Sequence, residues 1–411
     1  MMEKQYDFLV IGAGIIGITI ALKLREKFHE RTICIIEKEQ AIAQHSSGRN
    51  SGVLHAGFYY TADSLKARFT KDGNARMKAY CRSKSLRIND CGKLVIATDE
   101  LELAGLDELK RRGDLNQIQL EWVSPEEARE IDPNAKVYKR ALFSPTTASV
   151  DPVEICQSLM ADCERAGVEM RFGTKFLHAE RDGIVTNKGK IGARYVINAA
   201  GLYADKIAAE YGFGRKYTII PFKGIYLKYI KNKSDVKTNI YPVPNLKNPF
   251  LGVHFTKTVD GTIKIGPTAI PAFWRENYRG FDHFNISEMV GIVAFEALLF
   301  VKNAFNFRSL AFEEIRKYNK RVLIDLARKM VHDIDPDGFA EYLKPGIRAQ
   351  LLNKETLELV QDFVLEGDER SFHVLNAVSP AFTCAFPFSS YVVDEVIKLM
   401  KRREIIHVSS T

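Results

Sequence analysis

Residues 6–11 (YDFLVI) form a continuous apolar run, the pattern of a parallel strand buried on both faces. Residues 14–28 have helical length and carry Lys and Arg near their end, which suits a helix C-terminus. A second apolar run at 32–37 (TICIIE) predicts another strand, so the chain opens with a βαβ unit. Residues 44–60 are polar and glycine-rich with neither periodicity; they predict a loop leading into a helix over 64–81.

Further along, Asp151 and Pro152 suit the start of a helix over 151–166, which Gly167 ends. Short strands are expected at 168–174, 176–181 and 183–185, and a buried strand at 194–198 (RYVIN) runs into Ala199-Ala200-Gly201. Residues 219–267 alternate apolar and polar positions between Pro and Gly, which predicts an antiparallel sheet. Residues 287–330 read as largely helical, 349–352 and 359–366 as strands, and 389–403 as a closing helix. The class expected is α/β, a Rossmann-type nucleotide-binding domain interleaved with an α+β domain that contains the antiparallel sheet. Crossings are expected near Leu86, Ser144, Arg215 and Tyr342. That assigns 1–85, 145–215 and 342–411 to the first domain and 86–144 and 216–341 to the second.

The glycines give the first strand and helix a chemistry. In Gly12-x-Gly14-x-x-Gly17 the first permits a tight turn, the second lets backbone approach a pyrophosphate, and the third lets helix and strand pack closely. Glu37 ends the next strand twenty residues beyond Gly17, where an acid accepts hydrogen bonds from ribose hydroxyls and disfavours a 2′-phosphate. The chain is therefore read as a dinucleotide binder that does not use NADP. The loop decides between NAD and FAD. Residues 46–57 (SSGRNSGVLHAG) place small residues, backbone donors, one Arg and His55 directly after the ribose-binding strand. In a flavoprotein such a loop can run along the ribityl chain and bring His55 to the ring. FAD is the expected cofactor.

Composition narrows the rest. The 411 residues are 46% hydrophobic and 27% charged with a net charge of +8, the make-up of a globular protein with a basic surface. That charge favours anionic substrates or contact with an acidic membrane face, but Lys and Arg are spread along the chain, so nucleic acid is not expected. The six cysteines show no CxxC pair and no metal-ligand spacing, and are read as reduced thiols in a cytoplasmic protein without a metal site. Residues 8–24 imitate a signal peptide, yet three glycines at fixed spacing suit a buried βαβ unit better. No later segment combines the length and lack of charge of a spanning helix, so membrane contact is expected only as a peripheral one at the inner face.

Several segments together resemble a known family. Ser47-Gly48-Arg49-Asn50-Ser51-Gly52-Val53-Leu54-His55-Ala56-Gly57-Phe58-Tyr59-Tyr60, then Ser64-Leu65-Lys66-Ala67, look like the L-2-hydroxyglutarate oxidases and dehydrogenases of the D-amino-acid-oxidase-like flavoprotein superfamily. Asn198-Ala199-Ala200-Gly201-Leu202-Tyr203-Ala204-Asp205, Leu251-Gly252-Val253-His254-Phe255-Thr256, Ile265-Gly266-Pro267 and Lys344-Pro345-Gly346-Ile347-Arg348-Ala349-Gln350 recur in the family's order. The matches cover most of the chain.

The resemblance implies FAD, bound non-covalently or covalently, and oxidation of L-2-hydroxyglutarate to 2-oxoglutarate, with O₂ or a quinone as the final electron acceptor. It extends the cofactor set from Gly12, Gly14, Gly17 and Glu37 to Lys38, Ser47, Gly48, Asn50, Ser51, Gly52, Ala200, Gly201, Pro380 and Thr383. Oxidising a 2-hydroxy acid requires a base for the hydroxyl proton, a cation for the carboxylate and a hydride acceptor, here flavin N5. His55 is the first candidate for the base, and His254 either shares that role or is a core histidine. Arg348 can grip a carboxylate bidentately, Lys223 is a candidate for a second carboxylate, and Tyr59 and Tyr60 are candidates for closing the site.

The chain departs from the family pattern at Lys223, where Arg is common, at Ile225, at Thr268, often Asn, and at Ala381, usually Gly. These departures leave room for an altered substrate. Two alternatives stay open at this point: an amino-acid or amine oxidase of the same superfamily, and an FAD-binding protein without turnover.

Overall fold

The computed structural model describes residues 4–231, 236–245 and 250–408. Two compact units divide the chain. The first comprises Met1–Arg49, Pro152–Ile219 and Ala349–Thr411; the second comprises Asn50–Asp151 and Ile220–Arg348.

The first unit is built on a parallel core. Gln5–Ile11 lies between Ile33–Ile36 and Gly189–Asn198, with Ile11 level with both Ile36 and Asn198. Glu169–Arg171 adds a parallel strand beyond Ile33–Ile36, and Ser371–Asn376 pairs parallel with the end of Gly189–Asn198. Phe176–Glu180 and Gly183–Thr186 extend the sheet antiparallel, as two expected strands at these places require. The helix Ile15–Lys27 packs against Pro152–Arg165 and against Ala381–Val408. It is buried along most of its length, and Thr19 Oγ1 meets Ser389 Oγ at 2.6 Å inside the contact. That accounts for a helix apolar on nearly every side.

The second unit contains an eight-stranded sheet. Its order is Phe339–Tyr342, Leu227–Tyr229, Ile263–Gly266, His254–Lys257, Asn239–Pro242, Lys93–Ile96, Ala141–Ser144, Glu121–Val123. The neighbours are antiparallel except Asn239–Pro242 with Lys93–Ile96, which run parallel. Leu94, Ile96, Ile240, Phe255 and Ile265 bury one face in a single apolar cluster. The alternation of strand side chains then sends Lys93, Val95, Tyr241 and His254 to the opposite face.

The boundaries differ from the sequence expectation. Val53–Leu54 pairs with Ala148–Val150, whose strand also takes Ile88–Asn89, so 50–85 and 145–151 fold with the second unit. The observed crossings therefore follow Arg49, Asp151, Ile219 and Arg348. The long helical stretch expected at 287–330 is broken. Ile286–Lys302 ends where Asn303, Phe305 and Asn306 adopt positive φ, and Phe307–Arg316 and Lys320–Arg328 follow as separate helices. The closing helix starts at Ala381, earlier than its periodicity predicts, because it continues through Pro387.

One buried carboxylate fixes the strand that carries Tyr241. Asp132 is fully buried; its Oδ2 accepts from the amides of Lys237 (2.7 Å) and Thr238 (3.0 Å), and its Oδ1 accepts from that of Asn134 (3.0 Å). Asp132→Ala strands these donors and should destabilise the protein by on the order of 3 kcal/mol. Asp132→Asn keeps an acceptor and should cost less. Thermal unfolding of the two variants checks the order.

Candidate active site

The first unit supplies a cradle at the level where its parallel strands end. The amide of Gly12 donates to Ile36 O (2.8 Å) and that of Ala199 to Ile11 O (3.0 Å), so Gly12, Glu37 and Ala199 stand side by side. Gly12 has φ +105, and a Cβ there would lie 2.7 Å from Ala199 O; a Cβ on Gly17 would lie 1.9 Å from Gly12 O. Both positions admit only glycine. No side chain caps the helix at Gly14, while Ser47 Oγ accepts the amide of Ile15 at 2.9 Å. Glu37 is oriented by its neighbours: Oε2 accepts from Ala13 N (2.9 Å) and Oε1 from Glu39 N (3.0 Å).

Of the other residues expected to hold the cofactor here, Gly48 approaches Ala43 so closely that a Cβ would lie 2.0 Å from its carbonyl oxygen. Ala200 donates to Asn198 Oδ1 (3.2 Å), and Gly201 has φ +54 with open space around its missing Cβ. Lys38 pairs with Glu39 and lies over the Tyr203 ring. Pro380 is buried and its carbonyl accepts the amide of Cys384 (3.1 Å), and Thr383 is buried one turn into the final helix. A helix start at a glycine with no side chain of its own to cap it, a close backbone approach and an oriented acid fit the ADP half of a dinucleotide.

Asn50, Ser51 and Gly52 belong to the second unit, so the loop 46–57 passes from one unit to the other. Asn50 Oδ1 accepts from Gly52 N (2.8 Å), Ser51 Oγ from Val53 N (3.3 Å), and Gly52 takes φ +75. His55 follows on the strand Val53–Leu54 and is buried. Asn74, buried on the helix Leu65–Ser83, donates to the carbonyls of Leu54 (3.1 Å), His55 (3.2 Å) and Thr146 (3.2 Å) and so fixes this turn.

Around His55 the second unit gathers basic groups. Lys93 is fully buried with Nζ 3.4 Å from His55 Nδ1 and over the rings of Tyr241 (4.2 Å), Tyr59 (5.0 Å) and Phe58 (5.5 Å). His254 stacks on Tyr241 at 3.7 Å between ring centroids, and its Nδ1 meets Gly252 O at 3.0 Å. A carbonyl only accepts, so Nδ1 carries the hydrogen, and the buried Nε2 is a bare acceptor without a partner among the described residues. Lys264 Nζ lies over Tyr226 (4.9 Å) and reaches Asn50 O at 3.4 Å.

Thr268 ties the two expected carboxylate ligands together. Its Oγ1 donates to Lys223 O (2.9 Å), and its carbonyl accepts from Arg348 Nη1 (2.9 Å). Lys223 is buried with Nζ 3.2 Å from Asn277 Oδ1, and the Arg348 guanidinium lies over Phe250 at 5.5 Å. Among the described residues, none of Lys93, Lys223, Lys264 and Arg348 forms an ion pair with a carboxylate.

Burial shapes the titration of these groups. It holds His55 and His254 well below the usual histidine range, and the Lys93 charge adds to the effect on both. It pushes Lys93 down to about 7 and Lys264 down to about 8, and it lowers Lys223. Both imidazoles are thus neutral acceptors at neutral pH. Tyr59 is buried with its hydroxyl unpartnered among the described residues, and Arg112 Nη1 holds its carbonyl (2.8 Å); the carbonyl of Tyr60 accepts from Asn116 Nδ2 (2.9 Å).

His55, His254, Tyr59, Arg348 and Lys223 therefore share the second unit with Lys93, Lys264, Tyr241 and Asn74, which pattern reading passes over. A signal existed for the lysines. Each sits where the strand alternation of KLVI and IKIG sends a side chain inward, an unusual place for an amine without a partner acid.

A family profile described as FAD dependent oxidoreductase matches residues 7–387. L-2-hydroxyglutarate dehydrogenase of Escherichia coli (strain K12) is 33% identical over 402 residues, covering 96% of this chain and 94% of its own. The mitochondrial L-2-hydroxyglutarate dehydrogenase of Homo sapiens is 34% identical over 421 residues, covering 96% and 89%. Among solved structures, FAD-bound L-alpha-glycerophosphate oxidase from Mycoplasma pneumoniae superposes with a TM-score of 0.75 at 21% identity, covering 97% of this chain and 95% of its own. Glycine oxidase from Geobacillus kaustophilus gives 0.70 at 18%, covering 96% and 95%. The two structures share the fold, and FAD is the cofactor of this chain.

Gly17→Ala places its methyl against the Gly12 carbonyl and should abolish FAD retention; the ratio of flavin to protein absorbance in the purified variant is the measurement.

Proposed function

The chain belongs to the family of FAD-dependent oxidoreductases, and from that premise we propose that it oxidises the C2 hydroxyl of L-2-hydroxyglutarate to give 2-oxoglutarate. The observation that carries this reading is the pair Lys223 and Arg348, held together through Thr268 and without carboxylate partners among the described residues, in the same unit as two neutral imidazoles. A dianionic substrate supplies the missing counter-charge. Thr268 holds Arg348 by Nη1, which leaves Nη2 and Nε to grip one carboxylate, and Lys223 takes the other as a point charge. His55 accepts the hydroxyl proton, and the unpartnered Nε2 of His254 accepts a hydrogen bond from the substrate. FAD, when bound, would supply the acceptor for the hydride from C2.

Anaerobic L-2-hydroxyglutarate should bleach the flavin of the purified protein. Failure to do so, with bleaching by an amino acid, would replace this reading by an amino-acid oxidase. No bleaching by either class would favour a binding protein without turnover. His55→Ala should slow flavin reduction ~10²–10⁴-fold. Arg348→Ala should act mainly on substrate affinity, by ~2–5 kcal/mol. Near-normal reduction in His55→Ala would move the base to His254.

The helical segment of the second unit supports a peripheral membrane contact at the cytoplasmic face. No single helix among the described residues is long and apolar enough to cross a membrane. Phe281, Val290, Val301 and Phe312 are nonetheless 82%, 61%, 68% and 61% exposed, far more apolar surface than isolated side chains leave. Exposed Lys302, Arg308, Arg316 and Arg321 lie in the same stretch, which matches an acidic phospholipid surface. On this reading a quinone, rather than O₂, takes the electrons onward. Vesicles containing anionic lipid should co-sediment the protein, and the variant Phe281→Ser/Val301→Ser should bind them several-fold more weakly. Equal binding of both proteins would refute the contact.

A further inference from the structure

Lys93 has no assigned part in this chemistry, yet its amine lies within reach of the ring of His55. It heads the strand Lys93–Ile96, is fully buried, and lies 3.4 Å from His55 Nδ1. Three aromatic rings surround it, from Tyr241 on the neighbouring strand and from Phe58 and Tyr59 in the segment after His55. The groups that face it are His55, Tyr59, Tyr241, the Cys91 thiol two residues away, and His254 behind Tyr241; its flanking strand partners are Asn239 and Ser144. Burial raises both tyrosines and Cys91, so each of these stays neutral and none is an anion that would hold an ammonium. A lysine placed for structure would turn its charge to solvent or to an acid.

We propose that Lys93 is the positioning residue for His55: its uncharged amine accepts the Nδ1 hydrogen of the imidazole, which leaves Nε2 as the nitrogen that takes the substrate's hydroxyl proton. The inference rests on the reading of His55 as the base. Its logic is that of the two imidazole tautomers. An ammonium can only donate, so a charged Lys93 forces Nδ1 to accept, places the hydrogen on Nε2 and removes the base. A neutral amine has a lone pair free to accept, so it permits the opposite tautomer, with the hydrogen on Nδ1 and Nε2 bare. The hydroxyl O–H bond then breaks toward His55 Nε2, and the C2–H electron pair would leave as hydride, for which bound FAD would be the acceptor, so the substrate loses one proton and one hydride.

The rings offset part of the cost of charging the amine, and burial dominates, holding Lys93 at about 7. Below that pH Lys93 is protonated and the base is off. Above it the base is on. The rate of flavin reduction in the wild-type holoenzyme should accordingly rise with pH through a limb near 7.

Stopped-flow reduction across pH by L-2-hydroxyglutarate in wild type, Lys93→Gln and Lys93→Arg tests this, with the bound-flavin spectrum as the check on folding. Lys93→Gln accepts through its amide oxygen and does not titrate, so its acid limb should move down by at least one pH unit. Lys93→Arg always donates, so reduction should fall ~10²-fold or more at every pH. A limb unmoved in Lys93→Gln, or near-normal rates in Lys93→Arg, overturns the proposal. If His55→Ala reduces its flavin at near-normal rate, the base assignment itself fails, which these variants do not mimic. Should Lys93→Gln lose its flavin, ¹⁵N-histidine spectra of wild type, with the His55 signals assigned by their loss in His55→Gln, read the tautomer directly. A change from Nε2–H to Nδ1–H as pH rises through about 7 supports the proposal, and one tautomer throughout overturns it.

Discussion

An amine costs free energy to bury, and in the second unit that cost shapes everything near the candidate base. Lys93 and Lys264 stand on inward positions of a sheet whose other face is an apolar cluster. No acid neutralises them among the described residues, so aromatic faces and main-chain oxygens do what they can, and the amines give up part of their basicity. Such an arrangement persists only if the surroundings are stiff enough to prevent solvation or collapse. Asp132 and Asn74 supply that stiffness. Each spends buried polar atoms on main-chain partners and fixes the strand with Tyr241 or the turn with His55.

A site that is positive and ready to accept a proton is matched to an anion that must lose one. Burial above all keeps the imidazoles neutral and able to accept, while Lys223 and Arg348 favour a bound dicarboxylate. Stability and reactivity are therefore opposed at these positions, as is usual where charge is buried for use. In the first unit the constraint is main-chain geometry instead. Three parallel strands end level with one another, which brings Gly12, Glu37 and Ala199 to one edge and leaves room there for a pyrophosphate and a ribose.

Much of this was legible from local pattern. The run YDFLVI, the spaced glycines and the acid closing TICIIE each describe contacts made within forty residues, and Gln5–Ile11, Ile15–Lys27 and Ile33–Ile36 formed where those signals stand. The helices at Leu65–Ser83 and Pro152–Arg165 also formed where the sequence places them, the first capped by Ser64. Boundaries were less legible. The residues after Arg49 read as part of the nucleotide-binding domain until Val53–Leu54 paired with Ala148–Val150, a contact nearly a hundred residues away. The break at Asn303–Asn306 was hidden because its positive-φ residues include Phe305, which propensity does not mark as a turn residue.

By itself the sequence determined the kind of chemistry: a dinucleotide cradle, a histidine in a glycine-rich loop, and distant basic residues suited to a carboxylate. These are properties of residue type and short spacing, which the chain carries wherever it folds. Tertiary structure alone decided which basic residues meet. Lys93 reaches His55, Tyr241 stacks on His254, and Thr268 joins Lys223 to Arg348 only because sheet register aligns segments far apart in the chain. Register is set by the burial of whole strand faces, and with it come the desolvation that lowers Lys93 and the choice of which imidazole nitrogen is left bare.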